Sequence, residues 1–203
     1  MEIVSGAGDG VFWVGLVAVM LDDHVGAAGF AAAVLARLAP RALLSAVTTA
    51  WAERHPIRRV LVGLDLARAV CMIALGILAA TEISTWVMLA PVAVAYTLAA
   101  PYRPLVTGAL PVIAAERDLS SVNARVSTVR QLMTFIGPLI GTLVVGVGDP
   151  TSCFVFNAVT FLLAAALLVG IRELDTSVIG HEDASPGRHG WRAALDAPGV
   201  RVV

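Results

Sequence analysis

Between residues 3 and 171 the chain is a series of long apolar runs, at 3–21, 25–52, 60–80, 86–115, 122–147 and 153–171, parted only by short polar breaks. A helix of roughly 20 residues, rising about 1.5 Å per residue, crosses the hydrocarbon core of a bilayer. Six runs of that length in succession leave one fold class: an all-α membrane protein of six transmembrane helices. Breaks this short (22–24, 53–59, 81–85, 116–121 and 148–152) hold little beyond tight turns, so sequential neighbours run antiparallel. Composition agrees, since the chain is 58% hydrophobic and 14% charged with a mean hydropathy of +0.85, whereas a soluble domain carries about 25% charge.

The second break is the most polar. Trp51-Ala52-Glu53-Arg54-His55-Pro56-Ile57-Arg58-Arg59 sits between two apolar runs. Short loops rich in basic residues stay cytoplasmic. Arg54, Arg58 and Arg59 in the second break and Arg117 in the fourth put those breaks inside, because the first, third and fifth carry no basic residue. Both termini are therefore expected in the cytoplasm, in a multi-pass protein of the cell membrane. The N-terminus lacks the basic start of a cleavable signal, and Asp9 interrupts an h-region. The first run begins so abruptly that the true start is expected upstream. Residues 172–190 have the composition of a cytoplasmic linker, and 191–203 turn apolar again, as the lead-in to a seventh helix.

Polar residues within the runs fall in register. Arg37, Arg41, Ser45 and Thr48 lie on one stripe of the second helix, and Asn123, Ser127, Arg130, Thr134, Gly137 and Gly141 on one stripe of the fifth. A central Arg facing lipid costs about 2.5–3.5 kcal/mol on insertion scales. Such stripes serve either tight helix packing or a shared water-filled cavity. Each belongs to the middle helix of a three-helix set, which favours the cavity and an architecture of two inverted three-helix repeats. Arginines outnumber acids within the runs, pointing to an anionic ligand or to acids supplied from elsewhere. Pro40, Pro91, Pro101, Pro104, Pro111 and Pro138 kink or hinge the helices. Gly137 and Gly141 form a small-xxx-small pair suited to close helix contact. Asp9 and Asp65 are the membrane acids available for proton coupling, with a structural pair as the alternative for Asp9 and a local ion pair to Arg68 for Asp65. Cys71 and Cys153 are expected to be free core thiols.

With these residues in place the chain resembles the major facilitator superfamily. Residues 49–59 are similar to its loop between helices two and three, with Ala52, Arg54 and Arg58 matching, Glu53 replacing the acid and Arg59 adding a base. Thr49, Trp51, Pro56 and Ile57 depart from the pattern. Gly137, Pro138 and Gly141 resemble the helix-five motif of antiporters, although Thr142 stands where a glycine is usual. Ser5, Gly8, Asp9 and Gly10, then Asp65, Leu66 and Arg68, then Tyr102, Arg103 and Pro104, and finally Asn157 and Phe161 look like the drug- and siderophore-efflux branch. The resemblance implies secondary transport by alternating access, with residues 1–171 as the N-terminal six-helix half of a twelve-helix bundle. It makes Glu53, Arg54, Arg58 and Arg59 a gating loop, and adds Asn157 to the stripe residues Arg37, Arg41, Arg130 and Thr134 as candidates to line the cavity. The implied function is proton-coupled efflux of a small molecule.

Rival classes fare worse. His24, His55, His181 and His189 all lie in loops or the linker, so no catalytic triad or metal centre forms at depth from them, and no phosphate loop is present. The expected partners are a lipid bilayer, a small-molecule substrate and a second six-helix half. No cofactor, metal ion or nucleic acid is called for. The competing expectation is a non-transporting membrane remnant or a membrane module of a longer protein.

Overall fold

The structure is a computed structural model that describes residues 2–81, 83–107 and 119–170. Within them every regular element is helical: α1 (Glu2–Asp22), α2 (Gly26–Ala52), α3 (Ile57–Ala80), α4 (Thr85–Ala99), α5 (Leu119–Val147) and α6 (Thr151–Gly170). In hydrocarbon each backbone N–H and C=O must be satisfied within its own segment, which for these sequences means helix. Five helices among the described residues are long and apolar enough to cross a membrane: α2, α3, α6, α4 extended as Thr85–Thr107, and the Ala124–Val147 part of α5. The chain is thus a multi-pass membrane protein. The first expected span corresponds in position to α1, which is not one of these five. The linker at 172–190, the lead-in at 191–203, and Pro111 and Arg117 lie outside the described residues.

Element boundaries follow the polar breaks closely, with one difference. The fourth run is interrupted by a turn at 100–101 and resumes as helix over 102–107. Pro101 and Pro104 each lack an N–H, so the carbonyls one turn upstream lose their helical partners there.

Helix packing is not in chain order. α1 lies along α5 and against α6, α3 packs on α6 and α4, and α2 packs on α4. The main core joins Phe12, Leu16 and Met20 of α1 to Met72 and Leu75 of α3, Met88 and Val92 of α4, and Phe154 and Phe161 of α6. The ring of Phe12 stands 5.8 Å from that of Phe154 and 6.3 Å from that of Tyr96, both tilted. A second cluster, including Ile57, Leu61, Leu64, Tyr102, Leu105 and Leu168, closes the end beside the 53–56 turn. Arg58 ties that end together. Its Nε donates to the carbonyl of Leu168 at 3.2 Å and its Nη2 to that of Val169, satisfying acceptors in the last turn of α6. At the opposite end Thr85, the first residue of α4, donates to the carboxylate of Asp23 after α1.

Small residues let α1 and α5 touch backbone to backbone. A Cβ on Gly137 would stand 2.8 Å from the Ala7 carbonyl oxygen and 3.0 Å from Gly10 Cα, and one on Gly141 would stand 3.0 Å from Val11 Cα. Between helices in lipid such contact is a main source of attraction, because lipid tails are as apolar as leucine. Only 6% of the membrane stretch of α2 and 11% of that of α5 is buried, against 50% in α3 and α6. α2 and α5 are therefore the least covered helices, with Leu35, Leu38, Leu43, Phe135, Leu139 and Leu143 among their exposed side chains.

Candidate functional site

A cavity of about 450 Å³ opens among the first five helices, lined by Asp9 and Trp13 of α1, Arg37 and Arg41 of α2, Arg68 of α3, Tyr102 and Arg103 after α4, and Arg130, Thr134 and Pro138 of α5. The two polar stripes thus meet in one space. Arg37 and Arg41 reach it from α2, Arg130 and Thr134 from α5, each pair separated by one helical turn. Thr134 donates to the Arg130 carbonyl at 3.1 Å. Lower down, Ser45, Thr49 and Glu53 line an adjoining groove of about 380 Å³ that shares Arg41 and Arg103.

Asp9 is held on the cavity wall. Nη2 of Arg68 donates to both of its oxygens, at 2.9 and 3.0 Å, across the gap between α3 and α1. The Arg68 side chain is 5% exposed and that of Asp9 35%, so the acid half of the pair faces the open space. The Arg68 guanidinium also stacks over Phe161, 4.0 Å from the ring centroid, a contact that favours the cation once it is shielded from water. Arg68, one turn from Asp65 on α3, thus reaches across to an acid on a different helix. Asp65 is fully buried; one oxygen accepts from the Tyr102 hydroxyl at 3.5 Å and the other has no hydrogen-bond donor among the described residues.

Arg37 is positioned by aromatic rings. Its Cζ lies 4.8 Å from the Trp13 ring and 5.4 Å from that of Tyr96. Trp13 sits one turn beyond Asp9 on α1, so both face the cavity for the same periodic reason.

Other expected site residues fall elsewhere. Asn157 is fully buried between helices and does not line the cavity: its Nδ2 meets Met72 Sδ at 3.2 Å and its Oδ1 accepts from Thr160 at 3.0 Å. Gly8 faces it, where a Cβ would stand 2.2 Å from Asn157 Oδ1. Asn157 is thus a packing residue. A polar residue in the middle of a span reads the same in sequence whether it faces a cavity or another helix. Gly137 and Gly141 serve the α1 contact, and Pro138 alone of that motif reaches the cavity. Within the loop, Arg54 and Arg59 are exposed, Glu53 is half-buried and Arg58 is bound to α6. A tilted ring contact between Trp51 and His55, at 4.9 Å, accompanies a 3.0 Å hydrogen bond between His55 Nδ1 and the Trp51 carbonyl. The Asn123 side chain lies outside the described residues. Cys71 and Cys153 are free and buried. Sequence reasoning misses the role of Arg68 as partner of Asp9 and those of Trp13 and Arg103 in the cavity. The first needs the tertiary contact, whereas Trp13 could be found from its i, i+4 spacing to Asp9.

A sequence profile described as Major Facilitator Superfamily matches residues 1–200. No curated protein and no solved structure matches the chain.

Proposed function

The chain belongs to the major facilitator superfamily, and we propose that it is the N-terminal six-helix half of a proton-coupled exporter that moves a small molecule by alternating access. The observation that carries this reading is the cavity, where Asp9 and arginines from four other segments converge in an otherwise apolar bundle. Charges at such depth are costly unless they face water or one another. A solvated acid paired to a buried base is a two-state element: protonation of Asp9 removes the charge that holds Arg68, and reorganisation of the wall then accompanies proton movement. Asp65 is the second candidate for the coupling proton. Arg37, Arg41, Arg130 and Thr134 are the candidate solute contacts.

The proposed inverted repeat is supported by the packing. Exchanging α1 with α4, α2 with α5 and α3 with α6 turns the α1–α5 contact into α4–α2, turns α1–α6 into α4–α3, and leaves α3–α6 unchanged, and all of these contacts are made. Equivalent helices stand three spans apart along the chain, and an odd offset inverts one set relative to the other. α2 and α5, the least covered helices, border the cavity with Arg37, Arg41, Arg130 and Thr134, and a second six-helix half is the proposed cover. Glu53 and Arg54 then latch the two halves on the cytoplasmic side, where both termini also lie, while Arg58 anchors the loop to α6.

Transport is the test. In proteoliposomes holding the protein with its second half, Asp9→Asn should abolish solute uptake driven by a pH gradient while leaving insertion and amount unchanged. Uphill transport retained in Asp9→Asn would sink the proton-coupling role.

A further inference from the structure

The cavity carries a strong charge imbalance. Among the described residues five arginines line it, Arg37, Arg41, Arg68, Arg103 and Arg130, against one acid, Asp9. That acid is already committed to Arg68, through two hydrogen bonds. Arg37, Arg41 and Arg103 have no carboxylate within salt-bridge distance among the described residues, and Glu53 is the one acid in the adjoining groove.

Arg37 is aimed rather than neutralised. Trp13 and Tyr96 hold its guanidinium by their ring faces, and a cation held this way keeps its in-plane N–H donors available to a planar or tetrahedral anion. Clustered like charges between low-dielectric walls repel one another and focus a positive potential into the space they line. The partner that relieves this is an anion arriving from solution. Beside the arginines, Trp13 and Tyr102 supply aromatic wall, and about 450 Å³ is within the range of roughly 300–1,000 Å³ usual for small-molecule sites.

We infer that the cavity binds an organic anion, with an oxyanion group on Arg37, Arg41 and Arg103 and an aromatic or apolar body against Trp13 and Tyr102, and that it rejects organic cations of the same shape. This rests on the transporter reading for its physiological role, though the binding site stands by itself. Asp9 then screens the site in the empty state without filling it.

The experiment is a charge series on one body, titrated calorimetrically into the full chain in neutral detergent: 2-naphthoate, 2-naphthyl phosphate, 2-naphthalenemethanol and 2-naphthalenemethylammonium. A charge-assisted hydrogen bond changes affinity by roughly 10- to 100-fold, so at least one of the anions should bind about 10-fold or more tighter than the alcohol, and the ammonium weakest of all. Whether the carboxylate or the phosphate leads identifies the oxyanion. The preference should vanish in Arg37→Gln/Arg41→Gln/Arg103→Gln and survive in part in the corresponding lysine triple. An ammonium or alcohol binding as tightly as both anions overturns the inference on the unmutated protein alone, whatever the variants do. So does an anion preference undiminished in the glutamine triple. Anion binding without transport would refute the transporter reading and leave this one, whereas transport that favours the ammonium would do the reverse.

Discussion

Replacing Gly137 by alanine is the most exacting test of the α1–α5 contact, because the added methyl has nowhere to go. It would meet the Ala7 carbonyl oxygen at 2.8 Å and Gly10 Cα at 3.0 Å. Both are backbone atoms, so no rotamer change relieves the clash, and the helices must part along a seam that Gly10 and Gly141 also hold closed. Overpacking of this kind costs about 1–3 kcal/mol. At Gly146, on the same helix, an added methyl would have no neighbouring atom within 4 Å. There an alanine gains about 0.5–1 kcal/mol from helix propensity. The two single-methyl variants should therefore differ by about 1.5–4 kcal/mol, with Gly137→Ala the less stable. Thermal unfolding in one detergent, followed by circular dichroism at a fixed heating rate, reads the difference as a lowered midpoint for Gly137→Ala and an unchanged or raised one for Gly146→Ala. Equal midpoints would refute the close contact. Since Gly10 and Gly137 share one point of approach, Gly10→Ala/Gly137→Ala should also fall short of the sum of the two single losses.

Arg58→Ala should lower the unfolding midpoint through the loss of its bonds to the Leu168 and Val169 carbonyls, by about 1–3 kcal/mol for a charged donor, while Arg59→Ala, at an exposed position, should stay within about 0.5 kcal/mol. Asn157→Ala should destabilise the protein to a similar degree, by opening space among α1, α3 and α6, yet leave the affinity of any cavity ligand unchanged; a selective loss of ligand affinity would return Asn157 to the cavity wall. Cys71 and Cys153 should resist maleimide labelling in intact membranes and migrate identically with and without reductant, because both thiols are buried and neither is joined to the other.

Much of the fold is written in hydropathy. A run of some 20 apolar residues has one way to satisfy its backbone in lipid, which is why the helix limits at Ala52, Ala80 and Val147 coincide with the ends of apolar runs. The break at Pro101 is a local exception with a local cause. The stripes on α2 and α5 are legible too, since helical period alone puts Arg37 with Arg41 and Arg130 with Thr134. What the stripes face is not. Asn157 has the same polar, mid-span character as Thr134, but one is buried against Met72 and the other lines open space.

The sequence by itself determined that this chain lies in a membrane as a row of antiparallel helices, and which side of α2 and α5 is polar, because both are consequences of backbone hydrogen bonding and helical period within single segments. Only the tertiary structure decided which helices touch. It set α1 between α5 and α6, paired Asp9 with Arg68 across 59 positions of sequence, and left Arg37, Arg41 and Arg103 around one cavity. Those pairings depend on how small residues and ring faces fit between separate helices, and no property of one helix alone encodes its neighbour.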